Sequence, residues 1–254
     1  MNNKIIYLIR NSEKDLKLFE KSIELLQENF LPSNPYPVFV FHEDIEESYF
    51  NRFKIDLTPV RISFEIPDFL QEQNVPELIT VPGVPFPFTV GYRHMCRFFS
   101  GDMYFQEVLA DTDYYLRLDN DSFILNPVRY DLFKFMDNRE IIYGFNRVHT
   151  DNPLVVDGLW ELSQEYCEGK EVLKKPFTDI KHPNIYYTNF EIAKFDWFLQ
   201  KDYLDYYKFI DKSGGIYHKR WGDAAIKYLG VEMFLEDNKK HCFSDVKYFH
   251  GDIF

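Results

Sequence analysis

A chain of 254 residues, 45% hydrophobic and 28% charged, carries enough apolar material for one full core and too much for intrinsic disorder. Its formal charge of -12 excludes the broad basic surface that nucleic acid or an acidic membrane needs, but leaves room for one anionic ligand held through a cation. Cys96, Cys167 and Cys242 fit neither a disulfide framework nor a zinc-site spacing. The 26 Phe and 18 Tyr serve cores and sugar-stacking surfaces alike, so their number does not separate the two uses.

The opening MNNKIIYLIRN is too short for a signal core or a membrane span and is closed by Arg10; no transmembrane segment is expected. Residues 4–9 read as a buried strand. Ser12 and Asp15 form a capping pair, and Leu16, Phe19, Ile23, Leu26 and Phe30 recur on one face of the helix that follows. Pro32, Pro35 and Pro37 end that helix, and VFVFH at 38–42 reads as a second strand. This βαβ opening predicts a parallel α/β sheet with ligands beyond the carboxyl ends of its strands, where Arg10 lies.

Short helices and strands are expected over 43–80, then a Pro/Gly-rich link at 82–87. The pattern further predicts helix at 102–110 and 158–168, strands at 113–118 and 141–145, one or two helices within 190–212, and a turn at SGG 213–215. Helix over 224–229, a strand near 231–235 and a terminal loop or short strand complete a single domain spanning 1–254.

The strand at 113–118 delivers Asp119, Asn120 and Asp121 into a turn. Two carboxylates one residue apart suit Mn²⁺, or Mg²⁺, and such a cation neutralises a diphosphate, the leaving group of a sugar-nucleotide donor. The sequon Asn120-Asp121-Ser122 falls inside this turn, where a glycan would block the chemistry.

Several strings in order, LIRNSEKDLKLFEKSI, GYRHMCRFFSG, YYLRLDNDSF, TNFEIAKFDWF, YYKFIDKSGGIYHKRWGDAAI and FSDVKYFH, resemble the fungal alpha-1,2-mannosyltransferase family along almost the whole chain. That resemblance implies a GT-A-like nucleotide-sugar-binding fold, with a mixed, mostly parallel central sheet flanked by helices. It also implies GDP-mannose as donor, a mannose-containing glycan or glycoconjugate as acceptor, Mn²⁺ as cofactor, and alpha-1,2 transfer with retention. The metal turn departs from the family's Glu-Pro-Asp but keeps two carboxylates, and His250 matches the family's closing histidine, so Asp119, Asp121 and His250 are the expected metal ligands. The altered turn and the divergent segment 146–187 leave open another donor sugar; a binding-only carbohydrate protein on the same fold is the alternative from a different class.

By the same resemblance Glu191 is the candidate nucleophile or electrostatic stabiliser, with a helix-terminal surface charge as its plain alternative. Tyr92 is expected near the transferred sugar and Arg10 toward the nucleotide, while one or more of Arg93 and Arg97 meets the donor's phosphate or structural carboxylates, because planar guanidinium donors form paired hydrogen bonds. His94 reads equally well as a buried structural residue. Asp223 is read as a sugar ligand or a helix cap, Trp221 as a stacking or wall residue, and Tyr187 and Asn189 as pocket neighbours.

Overall fold

The computed structural model describes residues 1–175 and 183–252. The chain opens with strand β1 (Lys4–Leu8), helix α1 (Glu13–Asn29) and strand β2 (Val38–His42), as the sequence predicts. Ser12 caps α1 by accepting from the Asp15 amide, and Phe19, Ile23, Leu26 and Phe30 are buried under it. Next come α2 (Glu47–Phe50), β3 (Leu57–Arg61), β4 (Leu78–Ile79), β5 (Phe88–Thr89) and α3 (Val90–Ser100). Two 3-10 turns, not a continuous helix, fill 102–110.

Strands β6 (Tyr114–Leu118) and β7 (Ser122–Ile124) flank the acidic turn, followed by α4 (Leu132–Asn138), β8 (Tyr143–Phe145), β9 (Val148–Thr150) and α5 (Leu159–Cys167). The last stretch carries β10 (Asn184–Tyr186), β11 (Phe190–Lys194), α6 (Lys201–Lys212), α7 (Gly215–Lys219), α8 (Asp223–Phe234), β12 (Lys240–Cys242) and β13 (Tyr248–His250). Of the divergent segment 146–187, residues 176–182 lie outside the described residues.

Seven strands form one sheet in the order β12-β8-β11-β6-β1-β2-β3. All neighbours run parallel except β11, which is antiparallel to both β6 and β8. Pro59 sits in the edge strand β3, where its missing amide costs the sheet least. The α1 side of the sheet holds one buried cluster, centred on Phe19, Leu116 and Ile192. Opposite it, Tyr115, Tyr143 and Ala193 pack with Phe198 and Tyr203.

The helix expected within 190–212 is α6, preceded by a strand at 190–194 that went unread because it lies between two other strands and is buried on both faces, which conceals its period. The strand expected near 231–235 is corrected. Residues 231–234 continue α8, which runs on through Gly230 because Ala225, Ile226, Leu229, Val231 and Met233 are buried and a Cβ at 230 would lie 2.7 Å from the Tyr203 ring; the strand comes later, at β12.

Candidate active site

A cleft of about 290 Å³ opens where β1 and β2 end and α3 begins. Arg10 and Asn11 lie on one side, Glu43, Asp44 and Phe64 on another, and Tyr92 and Met95 of α3 close it. Arg10 is therefore where the βαβ reading placed it, with its guanidinium 2.7 Å from the Asp15 carboxylate. Asp15 also accepts from Asn120 at 3.2 Å, which ties the cleft wall to the acidic turn.

That turn is tight. The Asp119 amide donates to the Ser122 hydroxyl and the Ser122 amide to the Asp119 carbonyl, both at 3.0 Å. Antiparallel pairing of β13 with β7 puts His250 opposite Ser122, so the chain's last strand delivers an imidazole to the acid pair. His250 Nε2 stands 3.0 Å from Asp121 and 3.8 Å from Asp119, and one ligand atom from each of the three residues falls within 4.8 Å of the others. Oxygen, oxygen and imidazole nitrogen in this spacing fit Mn²⁺. Tyr187 meets the other ring nitrogen, Nδ1, at 3.2 Å and so orients the histidine from behind. Burial pushes the Asp119 carboxyl up, against the pull of Arg117.

Behind the turn lies a charge network that the sequence reading missed. Arg117 reaches Asp119 at 3.0 Å, bonds Asp223 closely, and stacks 3.5 Å from the Phe99 ring centre. Asp223 also accepts from Thr188 at 2.9 Å. Burial drives the Asp223 carboxyl up, but Arg117 and Lys227 outweigh it and hold it below the usual range. The carboxylate is thus occupied by the protein itself, while Gly222, not Asp223, stands at the N-cap of α8.

Glu191 is placed differently from either reading of it. Its position on β11 turns the side chain toward α8, where it has no exposed surface. Lys227 and Tyr115 each donate to it at 2.5 Å and Tyr143 at 2.8 Å. It is neither a surface charge nor a group open to the cleft. Of the two alternatives for Arg93 and Arg97, phosphate or structural carboxylates, Arg97 takes the second and Arg93 takes neither. Arg93 is wholly buried and spends its guanidinium on the carbonyls of Pro76, Glu77, Thr89 and Tyr217. Arg97 grips Asp211 through two bonds at 2.9 and 3.0 Å and Asp102 at 2.6 Å.

His94 is structural, bonded to the Tyr217 hydroxyl at 2.8 Å and stacked on Phe64. Burial, with the charges of Arg93 and Arg97, lowers it to about 4. Trp221 is a wall residue: it is buried and donates to the Asp157 carbonyl at 2.8 Å. The side-chain oxygen of Asn189 meets the Tyr248 hydroxyl at 2.7 Å. The signal for the missed residues was charge inside apolar runs, Arg117 in YYLRL and Lys227 in AAIKYLG.

A mostly parallel sheet whose central strand ends in an acidic turn beside a cleft that Asn120 lines has a GT-A-like glycosyltransferase fold. The chain belongs to the glycolipid 2-alpha-mannosyltransferase family, which it matches over residues 1–254. It is 28% identical over 266 aligned residues to the glycolipid 2-alpha-mannosyltransferase of Saccharomyces cerevisiae, covering 96% of this chain and 60% of that protein. Its fold superposes on core-mannan synthase A of Aspergillus fumigatus in a Mn/GDP-form, with a TM-score of 0.83, 24% identity and coverage of 98% of this chain and 74% of the other. The mannosyltransferase Ktr4p of S. cerevisiae in complex with GDP gives 0.84, at 23% identity and 98% and 71% coverage. No helix among the described residues is long and apolar enough to cross a membrane.

Proposed function

We propose that this chain is a metal-dependent retaining mannosyltransferase, moving mannose from GDP-mannose to a mannosyl hydroxyl of a glycan or glycoconjugate and forming an alpha-1,2 linkage. The observation that carries the proposal is the cluster of Asp119, Asp121 and His250 beside a cleft at the end of β1, in a chain of this family. Asp119, Asp121 and His250 Nε2 would hold Mn²⁺, or Mg²⁺ in its place, with Tyr187 fixing the imidazole. Once bound, such a cation neutralises the diphosphate and stabilises it as a leaving group.

Arg10 and Asn11 would meet the nucleotide at the strand end, and Glu43 or Asp44 can accept from the ring N–H and amino group that distinguish guanine. Tyr92 faces the same cleft and would contact the transferred sugar. The enclosure of Glu191 by Lys227, Tyr115 and Tyr143 supports the front-side path to retention, in which the departing diphosphate takes the acceptor's proton, over attack by Glu191. Glu191 then acts at a distance, by holding Lys227 beneath the Arg117 network.

Incubating the protein and Mn²⁺ with a panel of nucleotide sugars and with mannose or mannobiose acceptors tests this reading. The expected result is GDP release matched by acceptor elongation from GDP-mannose alone, with an alpha-1,2 product by NMR. Excess chelator should abolish turnover and added Mn²⁺ restore it. Elongation from another donor would overturn the specificity, and full activity in chelator would overturn the metal's role.

A further inference from the structure

Among the described residues, only Glu140 and Arg220 hold a positive φ without being glycine. Arg220 sits at φ 67 and ψ 32, closing α7 just before the buried Trp221. A glycine would adopt this left-handed backbone without penalty, so an arginine here carries strain for the sake of its side chain. Where that side chain goes is specific. Its terminal nitrogen donates to the Tyr92 hydroxyl, and its guanidinium carbon lies 4.2 Å from the Phe88 ring centre and 5.0 Å from that of Tyr92. Its Nε is buried without a hydrogen-bond partner, a second cost borne at the same residue.

Tyr92 lines the cleft. A guanidinium has donors and no acceptor, so once Arg220 occupies the phenol oxygen the phenol's own proton must point elsewhere. Cys96 is near enough to act on the phenol, and a thiol is only a weak acceptor. The adjacent positive charge also makes the phenol a stronger donor. We propose that Arg220 is a positioning residue that fixes the Tyr92 hydroxyl as a hydrogen-bond donor to a sugar oxygen in the cleft. The identity of that sugar rests on the mannosyl-transfer reading above; the contact between Arg220 and Tyr92 does not.

The test compares Arg220→Gly, which relieves the backbone, Arg220→Lys, which keeps charge without the planar stack, Tyr92→Phe, and the double variant Arg220→Gly/Tyr92→Phe. Transfer kinetics are read beside GDP affinity, with circular dichroism as a check on folding. In Arg220→Gly, kcat should fall roughly tenfold to a hundredfold while GDP affinity stays within about threefold of wild type. Arg220→Lys should be intermediate, and serves as the test variant if the glycine form does not fold. The double variant should be no slower than Tyr92→Phe, because the two groups act as one unit.

A readout free of turnover is 3-fluorotyrosine at position 92, whose fluorine resonance should move on Arg220→Gly. Wild-type kcat in Arg220→Gly, losses that simply multiply in the double variant, or an unmoved fluorine resonance would each overturn the proposal. A moved resonance in a protein that transfers to no acceptor would support the positioning contact and overturn the mannosyl-transfer reading instead.

Discussion

Glu191 and Lys227 lie 2.5 Å apart with both side chains wholly shielded from water. Removing two charges from water costs several kcal/mol each, which their attraction offsets only with good geometry and further hydrogen bonds. Tyr115 and Tyr143 supply those bonds on the carboxylate, and burial pulls the Lys227 ammonium down despite its partner. Lys227→Met alone should therefore cost about 3–5 kcal/mol, because it strands a buried carboxylate, while Lys227→Met with Glu191→Gln should recover much of the loss. Urea denaturation of both variants decides it; a Lys227→Met loss below about 1 kcal/mol would mean that the carboxylate finds another partner. Family resemblance marked the position of Glu191, but depth is a tertiary property. Nothing local in TNFE tells whether its carboxylate faces a cleft or a lysine 36 residues further on. For the acid pair, residue type and spacing narrowed the chemistry, while His250 came from the family resemblance, and the fold brings the three together.

The opening β1-α1-β2 unit was readable because cap, periodicity and prolines all agree, and each acts within a few residues. Strand β11 was not, since its two buried faces erase alternation and only its neighbours β6 and β8 make it a strand. Similarly, the SGG turn could be read from glycine's left-handed freedom at Gly214, whose φ is 75. Gly215 serves a different need: a Cβ there would lie 2.1 Å from the Trp221 ring, which is itself pinned by its bond to the Asp157 carbonyl. Gly215→Ala must therefore displace Trp221, at a cost of about 1–3 kcal/mol. Since Arg220 and Asp223 flank that tryptophan, the same substitution should weaken transfer as well as stability. Melting temperature and kcat measured together check both; a variant that melts like wild type would show that α7 absorbs the methyl group.

At the scale of the molecule, segments far apart in sequence converge between α3, α7 and the loop after β3, and their electrostatics set a pH response. His94 is wedged between Phe64 and Tyr217, and burial, then the charges of Arg93 and Arg97, lower it to about 4 from an ordinary 6.5. The unfolded chain thus takes up this proton before the folded one does. The stabilisation is complete above about pH 6.5 and is lost as pH falls toward about 4, with a slope of at most ~1.4 kcal/mol per pH unit. Burial lowers His42 and His241 too, which adds in the same direction. His250 runs the other way: Asp121 and Asp119 outweigh burial and raise it, so its contribution is present at acid pH and lost as pH rises through its folded value. The net curve is consequently a weak test of any one histidine, and the His94→Asn difference is a sharp one. An asparagine oxygen can still accept from the Tyr217 hydroxyl but takes no proton, so between about pH 6.5 and pH 4.5 the variant should lose less stability to acid than wild type does. Urea titrations of both proteins at those two pH values give the difference directly, and equal acid losses would show that His94 protonates as freely in the fold as outside it.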